Sequence, residues 1–511
     1  MARTRFGFPR FWGGRPALIV ACLLVQAASP SRGPEARTAN YFDQVRDKPV
    51  ALAIFLRSLP KGGDLHNHLA GAVYAESLIK WGVEGGLCVR LADHSLTTPP
   101  CDPDHGALPL AQALAASPSL YHDLVDAFSM RDLIAHAGVS GHDQFFASFD
   151  RFGPAMAGHT PEMIAEAANR AAADHVDYLE LMDSPGMAAA WTLAAKTSWR
   201  DNPDGLYAQF APALAPLVEA TKSEIATNDL KAHEIMHCEA ADAEPGCKVQ
   251  IRYIAQVIRT FSPAQVFAQV QFGYALAAAD PLVVGVNLVA PEDDPTTLRD
   301  YAKQMAMLGY MGRRYPTVRL TLHAGELTQG LVPPEDLGHH IRDAVDIAGA
   351  RRIGHGVDLS YEIDAGGLLK TMAAKKVLVE INLTSNDVIL GVKGEDHPFP
   401  AYRAAGVPVA LSTDDEGVSR VDLTHEFVRA VQTYRLSYGD LKTLVRNSLE
   451  YSFLPGRSLW DATAPYRLDP ACVRGETAAC TSLLNDSEKA RLQWRLEGEF
   501  KAFEATAWPV S

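Results

Sequence analysis

Along the 511-residue chain, short and nearly continuous apolar runs alternate with longer Ala- and Leu-rich stretches of helical periodicity. The runs fall at 176–182, 249–257, 282–289, 318–323, 376–382 and 407–412. Strands that are apolar at successive positions are buried on both faces, the usual condition of a parallel sheet. Between them, 161–175, 263–279, 297–314 and 335–348 read as helices. A first strand ending near His66 and a short one at 352–354 bring the count to eight. Eight strand–helix units in succession predict an α/β chain folded as a (β/α)8 TIM barrel. Two segments break the rhythm. Residues 86–124, rich in Pro, Asp, Ser and Ala, read as an insertion or lid after the first strand, and 192–246 as a long, partly charged helical stretch. Residues 29–511 read as one barrel domain, with 456–511 a C-terminal extension that starts as loop and turns helical over 487–507.

The first 28 residues are set apart from the fold. Arg3, Arg5, Arg10 and Arg15 precede an apolar run at 17–25 and the small residues Ala27, Ala28 and Ser29. That is the pattern of a secretory signal peptide at 1–28, cut after Ala27 or Ala28. A lipoprotein box ending at Cys22 is the weaker reading, because too few apolar residues precede it. The apolar run is also too short to span a bilayer, so no stable membrane insertion is expected after cleavage. Six further cysteines form three close pairs, Cys88 with Cys101, Cys238 with Cys247 and Cys472 with Cys480. An even number in an exported chain suggests disulfides and a secreted or periplasmic location. Losing the four leader arginines moves the formal charge from −14 to −18, which disfavours a nucleic-acid partner.

In such a barrel, chemistry sits at the C-terminal ends of the strands. Reading those ends in order gives His66 and His68, Glu180, His323 and Glu326, His355, Asn382, then Asp414 and Asp415. Residues two apart on a strand point the same way, so His66 and His68 can reach one ion. His355 lies between two glycines, and the adjacent carboxylates Asp414 and Asp415 call for a nearby cation to stay ionised together. Each motif alone is weak, but their order along successive strand ends is not.

These residues resemble the adenosine deaminase family of zinc-dependent barrel enzymes. The likeness runs from Leu59-Pro60-Lys61 and the His-x-His pair through 323–326, 354–356, 383–386 and 412–415 to Ser452-Phe453-Leu454-Pro455. The leader, the cysteines and the insertion resemble its secreted growth-factor-type branch. The resemblance implies one zinc ion per chain held by His66, His68, His323 and Asp414. It implies that His355 accepts a proton from the attacking water and that Asp415 bonds the hydroxide and the purine N7. Glu326 would enter protonated and donate to N1. Substrate contacts are implied for Ala290, Asp415 and His68. The implied reaction converts adenosine or 2′-deoxyadenosine, a small purine nucleoside, to the inosine product and ammonia. A homodimer is compatible with this reading. Three positions depart from the family pattern: Ala70 stands where an acid contacts the ribose 5′-hydroxyl, Ala290 where a glycine N–H meets N3, and Glu416 where a proline is common. The ribose contact is therefore expected from elsewhere, such as 86–124, or the substrate is adenine or an N6-modified adenosine.

Three rival readings stand beside it. His233-Glu234-Ile235-Met236-His237 matches the HExxH pattern of zinc metallopeptidases, but no further ligand follows, and a surface helix is the better reading. A binuclear amidohydrolase would need a lysine where Asn287-Leu288-Val289 ends a strand. A purely binding role would leave the catalytic set unexplained. Glu180 reads equally as interior pairing or substrate contact. His339, His340 and His397 read as solvated or loop-packing residues, and Phe145, Phe146, Phe149 and Phe152 as core.

Overall fold

The computed structural model describes residues 33–136, 138–461, 466–506 and 508, so the expected leader at 1–28 lies outside the described residues. Eight parallel strands follow one another around a barrel in chain order: β1 (Gly62–His68), β2 (Val176–Asp183), β3 (Gln250–Ile258), β4 (Val283–Val289), β5 (Arg319–Ala324), β6 (Arg352–His355), β7 (Leu378–Ile381) and β8 (Val409–Leu411). Six of them form where the apolar runs lie, β1 and β6 at the two further positions expected, and most of their side chains are buried. The ring closes beyond the last regular pairing. Asn67 and Asp414 form an isolated parallel bridge; His68 N–H donates to the Asp414 carbonyl (3.0 Å) and Asp414 N–H to the His66 carbonyl (2.9 Å).

Helices Thr160–Ala173, Pro263–Ala279, Pro295–Arg314 and Ala365–Lys375 cover the outside. Proline in the first turn of the first three loses nothing there, since those N–H groups have no helical partner. The Asp294 side chain caps the third by accepting from the N–H groups of Thr296 and Thr297. The 192–246 stretch contains the helix Pro203–Ile235. The helix expected over 335–348 is instead broken into a 3-10 turn (Pro334–Asp336), a short α-helix (His340–Asp343) and a π turn (Ala344–Ala348). The break turns His340 inward: it is buried, stacked at 3.7 Å on Tyr301 and within 2.5 Å of Glu292, so it is not solvated.

Residues 86–124 form a three-stranded antiparallel sheet and two helices, with Cys88–Cys101 bridged at its base. Cys238–Cys247 and Cys472–Cys480 are also disulfides, as their spacing suggested. The C-terminal helix Glu488–Glu504 is tied to Tyr438–Glu450 by Lys442–Glu504 (2.7 Å) and Arg446–Glu497 (2.7 Å). Phe145 and Phe152 are buried in the main core, with Phe146 and Phe149 packed against it. Among the described residues no helix is long and apolar enough to cross a membrane.

Candidate active site

Four side chains from β1, β5 and the end of β8 converge at the C-terminal mouth of the barrel. His66, His68, His323 and Asp414 are all buried, with potential ligand atoms within 4.8 Å of one another. His323 Nε2 lies 3.1 Å from both His66 Nε2 and His68 Nε2, and Asp414 Oδ1 lies 3.3 and 3.2 Å from those same two nitrogens. Donor atoms ~2.0–2.1 Å from one ion lie about 2.9–3.4 Å apart at angles of about 90–109°, so the spacing suits zinc, and a five-coordinate ion would leave a position for water.

The far side of each ring fixes what faces the centre. His66 Nδ1 is 2.7 Å from Glu380 Oε2, His68 Nδ1 2.7 Å from Gln256 Oε1, and His323 Nδ1 2.7 Å from Asn287 Oδ1. An oxygen acceptor on each Nδ1 calls for a proton there, which leaves three neutral Nε2 lone pairs and a carboxylate oxygen aimed at one point. Lone pairs so gathered repel unless a cation sits between them. The electrostatics make the same demand for positive charge: burial opposes a charged His66, yet Asp414 and Glu380 together raise it to about 10, so that a proton takes the place a cation would hold on Nε2. Asp414 itself, despite burial, is pulled well below the usual carboxylate range by the histidines around it.

Behind this set lies a charged interior layer. Glu380 also accepts from Thr321 Oγ1 (2.8 Å) and Arg352 Nε (2.5 Å). Arg352 spans to Glu180, whose other oxygen accepts from Tyr178 OH (2.8 Å) and Phe453 N–H (2.6 Å). Glu180 is therefore an interior structural pair and not a substrate contact.

The other predicted site residues ring the same space. His355, in left-handed backbone at φ 69°, has Nε2 3.7 Å from Asp414 Oδ2 and Nδ1 3.6 Å from Glu326 Oε1. Burial lifts the Glu326 carboxyl well above its ordinary range, with the charges of Asp414 and Glu292 adding to it. Burial likewise pushes Asp415 up to about 8 and His355 down to about 3. Asp415 Oδ1 is buried without a hydrogen-bond partner, and a Cβ on Gly71 would fall 1.6 Å from it. Glycine is required there by contact. Ala290 holds φ 84°, the conformation a glycine adopts freely, and its carbonyl accepts from Arg259 Nε at 2.8 Å. The loop carrying Glu326 is fastened by Glu292, which accepts from Gly325 N–H (3.1 Å) and Glu326 N–H (2.9 Å).

Two expectations need correction. The HExxH histidines do not share a helix: it ends at Ile235, and His237 turns to φ 55° and faces Asp242 at the surface. Nor do the principal packing contacts of 86–124 reach the mouth; they run to the helix Ala75–Glu84 and the turn Gly153–Met156. Met130, Gly141 and His142 instead contact the segments that follow β8, β7 and β4. Met130 N–H donates to the Val418 carbonyl (2.8 Å), Gly141 abuts the Val388 carbonyl, and His142 Nε2 lies 3.1 Å from Asp293 Oδ1. Gln256, Asn287 and Glu380 were also missed, although Asn287 and Glu380 are each the lone polar residue of an apolar strand.

Comparison with known proteins agrees with this arrangement. The family model described as adenosine deaminase matches residues 133–459. An adenosine deaminase of Enterococcus faecalis is 37% identical over 175 residues, 34% of this chain and 46% of that protein. One from Clostridium perfringens is 38% identical over 136 residues, 26% of this chain and 38% of its own length. An adenine deaminase of Rhizobium leguminosarum bv. trifolii is 29% identical over 208 residues, 40% and 58% of the two chains. The matches thus span about half the length of these relatives. The crystal structure of an adenine deaminase from Arthrobacter aurescens shares the fold, with a TM-score of 0.53 at 18% identity over 86% of this chain and 99% of that one. The family match covers well over half of the sequence and contains His323, Glu326, His355, Asp414 and Asp415, and this chain belongs to the adenosine deaminase family.

Proposed function

We propose that this protein is a hydrolase that replaces the 6-amino group of an adenine-type purine by oxygen and releases ammonia, using one zinc ion per chain. Adenosine and 2′-deoxyadenosine are the leading substrates. The observation that carries the reading is the convergence of three Nε2 lone pairs and Asp414 at one point, beside a carboxyl held in its acid form. Zinc bound there would act as a Lewis acid that brings the pKa of a water toward neutrality.

The chain's own residues account for the rest. Glu326, kept neutral by burial, is an O–H donor for a ring nitrogen, and that bond draws electron density from the adjacent carbon. Asp415, with one oxygen unpartnered, is an acceptor that a ligand can fill. Ala290, in the glycine-type conformation, keeps an N–H for a second purine nitrogen. His68 borders the same space. His355 faces the oxygen that adds to the ring. Addition of water across the C=N bond and expulsion of the amine as ammonia leave the 6-oxo purine.

A second reading, deamination of adenine or of an N6-modified adenosine, is favoured by one residue. Ala70 offers no polar group for a ribose hydroxyl, and the likeness to both adenosine and adenine deaminases leaves the sugar open. Three disulfides support the proposal that the protein works outside the cytoplasm. The test is ultraviolet absorbance with adenosine, 2′-deoxyadenosine, adenine and N6-methyladenosine, with and without chelator. Loss of the adenine band with a chelator-sensitive rate is expected for at least one. Silence on all four sinks the substrate class, and chelator-insensitive turnover sinks the metal.

A further inference from the structure

His355 is held from behind by a chain of hydrogen bonds whose directions can be read from one fixed end. Phe399 N–H donates to His397 Nδ1 at 3.1 Å, so that nitrogen carries a lone pair and the neutral ring has its proton on Nε2. His397 Nε2 lies 3.0 Å from Asn386 Oδ1, which accepts that proton's hydrogen bond. With its oxygen so engaged, Asn386 turns its NH2 to His355 Nδ1, at 2.8 Å. All three side chains are buried, so water does not reverse the order. The Asn382 amide nitrogen stands 3.5 Å from both His355 nitrogens, hence over the ring face, and does not compete in the plane.

We propose that His397, acting through Asn386, is a positioning residue that locks His355 in the Nε2–H tautomer. His355 therefore meets the attacking oxygen as a hydrogen-bond donor, not as the base that the family resemblance implies. The opposite tautomer would set His355 Nδ1–H against the Asn386 NH2, or would turn the amide and leave two N–H groups of Asn386 facing the His397 Nε2–H. Either costs a buried hydrogen bond and places two donors together. The catalytic meaning of the lock rests on the deaminase reading, but the tautomer does not.

The experiment uses the zinc-loaded full chain with 15N-labelled histidine. Imidazole 15N shifts of His355 are expected to show a pyrrole-like Nε2 and a pyridine-like Nδ1. Asn386→Asp presents an oxygen to both rings and should move the His355 proton to Nδ1. Its kcat on the substrate identified above should fall about 100-fold or more, the scale of losing one preorganised donor to the reacting oxygen, with zinc content and KM little changed. His397→Leu should weaken the lock and mix the two forms, whereas His397→Gln, whose amide N–H replaces Nε2–H, should restore the single form. A pyridine-like Nε2 in the unaltered protein, or Asn386→Asp with full turnover, overturns the proposal. If no purine is turned over, the 15N spectra of the same variants still decide the tautomer.

Discussion

Replacing Glu380 by glutamine separates the two tasks of one buried carboxylate. Its Oε1 receives Thr321 and Arg352, and its Oε2 receives His66 Nδ1. A glutamine has one acceptor and one donor end. Arg352 can only donate and holds the carbonyl end, so the NH2 end faces His66 Nδ1. His66 must then carry its proton on Nε2, and one metal ligand is lost or held at the cost of a donor–donor clash. Loss of an outer partner of this kind weakens metal binding about 10–100-fold, or ~1.4–2.7 kcal/mol. The assay is competition for zinc against a chromophoric chelator, alongside thermal unfolding with and without excess zinc. Thr321→Val is the control: it removes one neutral donor from the other oxygen and should cost ~1 kcal/mol of stability while leaving zinc affinity unchanged. Equal zinc affinity in Glu380→Gln and the unaltered protein would refute the reasoning, because it would mean that the Nδ1 partner does not set the state of His66.

Other expectations can be checked with simple variants. His323→Ala should abolish turnover and zinc retention, while His237→Ala, at the surface, should leave both intact in the same assays. Glu326→Gln should lower kcat by ~100-fold or more. In the unaltered protein, kcat/KM should fall as pH rises through the raised carboxyl pKa, because the acid form is the active one. Asp358 is buried with neither oxygen partnered, and burial lifts it well above 3.8, so the folded state keeps a proton that the unfolded state releases. Its contribution to stability is therefore present below the unfolded pKa and lost as pH rises toward the folded one, at ~1.4 kcal/mol per pH unit. Urea unfolding at pH 5, 6 and 7 should show a shallower decline for Asp358→Asn; parallel declines would contradict this. Replacing Cys472 and Cys480 together by serine opens an 8-residue separation and should cost ~2.5 kcal/mol by chain entropy without changing kcat.

The barrel was legible because its strands are buried on both faces and so are written as apolar runs. Of the four candidate ligands, His323 and Asp414 were legible because they sit at the end of such a run, and His66 and His68 because of their His-x-His spacing. What lay behind them was less so. Asn287 and Glu380 each carry a signal, a single polar side chain inside an apolar strand, but the pattern does not say which histidine each one meets; Gln256 shares its strand with Gln250 and Arg252 and does not stand out. Of the two readings of His340, solvated or loop-packing, the first fails: helical periodicity continues across 335–348, but the helix is interrupted there and His340 is buried against Glu292. His397 gave no warning at all. It lies between a 3-10 turn (Gly394–Asp396) and a short helix (Phe399–Ala404), and it meets Asn386, which in turn meets His355, only through tertiary packing.

The closing of the ring through Asp414 and the His66–His68 pair has a consequence for how the molecule is made. The two ends of the circle are sewn together by the same residues that would grip the ion. A nascent chain cannot assemble the pocket until residue 414 has emerged, so the proposed ion would load late. Bound there, it would act as a clasp across the join, and its removal should loosen that seam first. Amide exchange at His68 and Asp414 would report the clasp opening before the opposite wall responds.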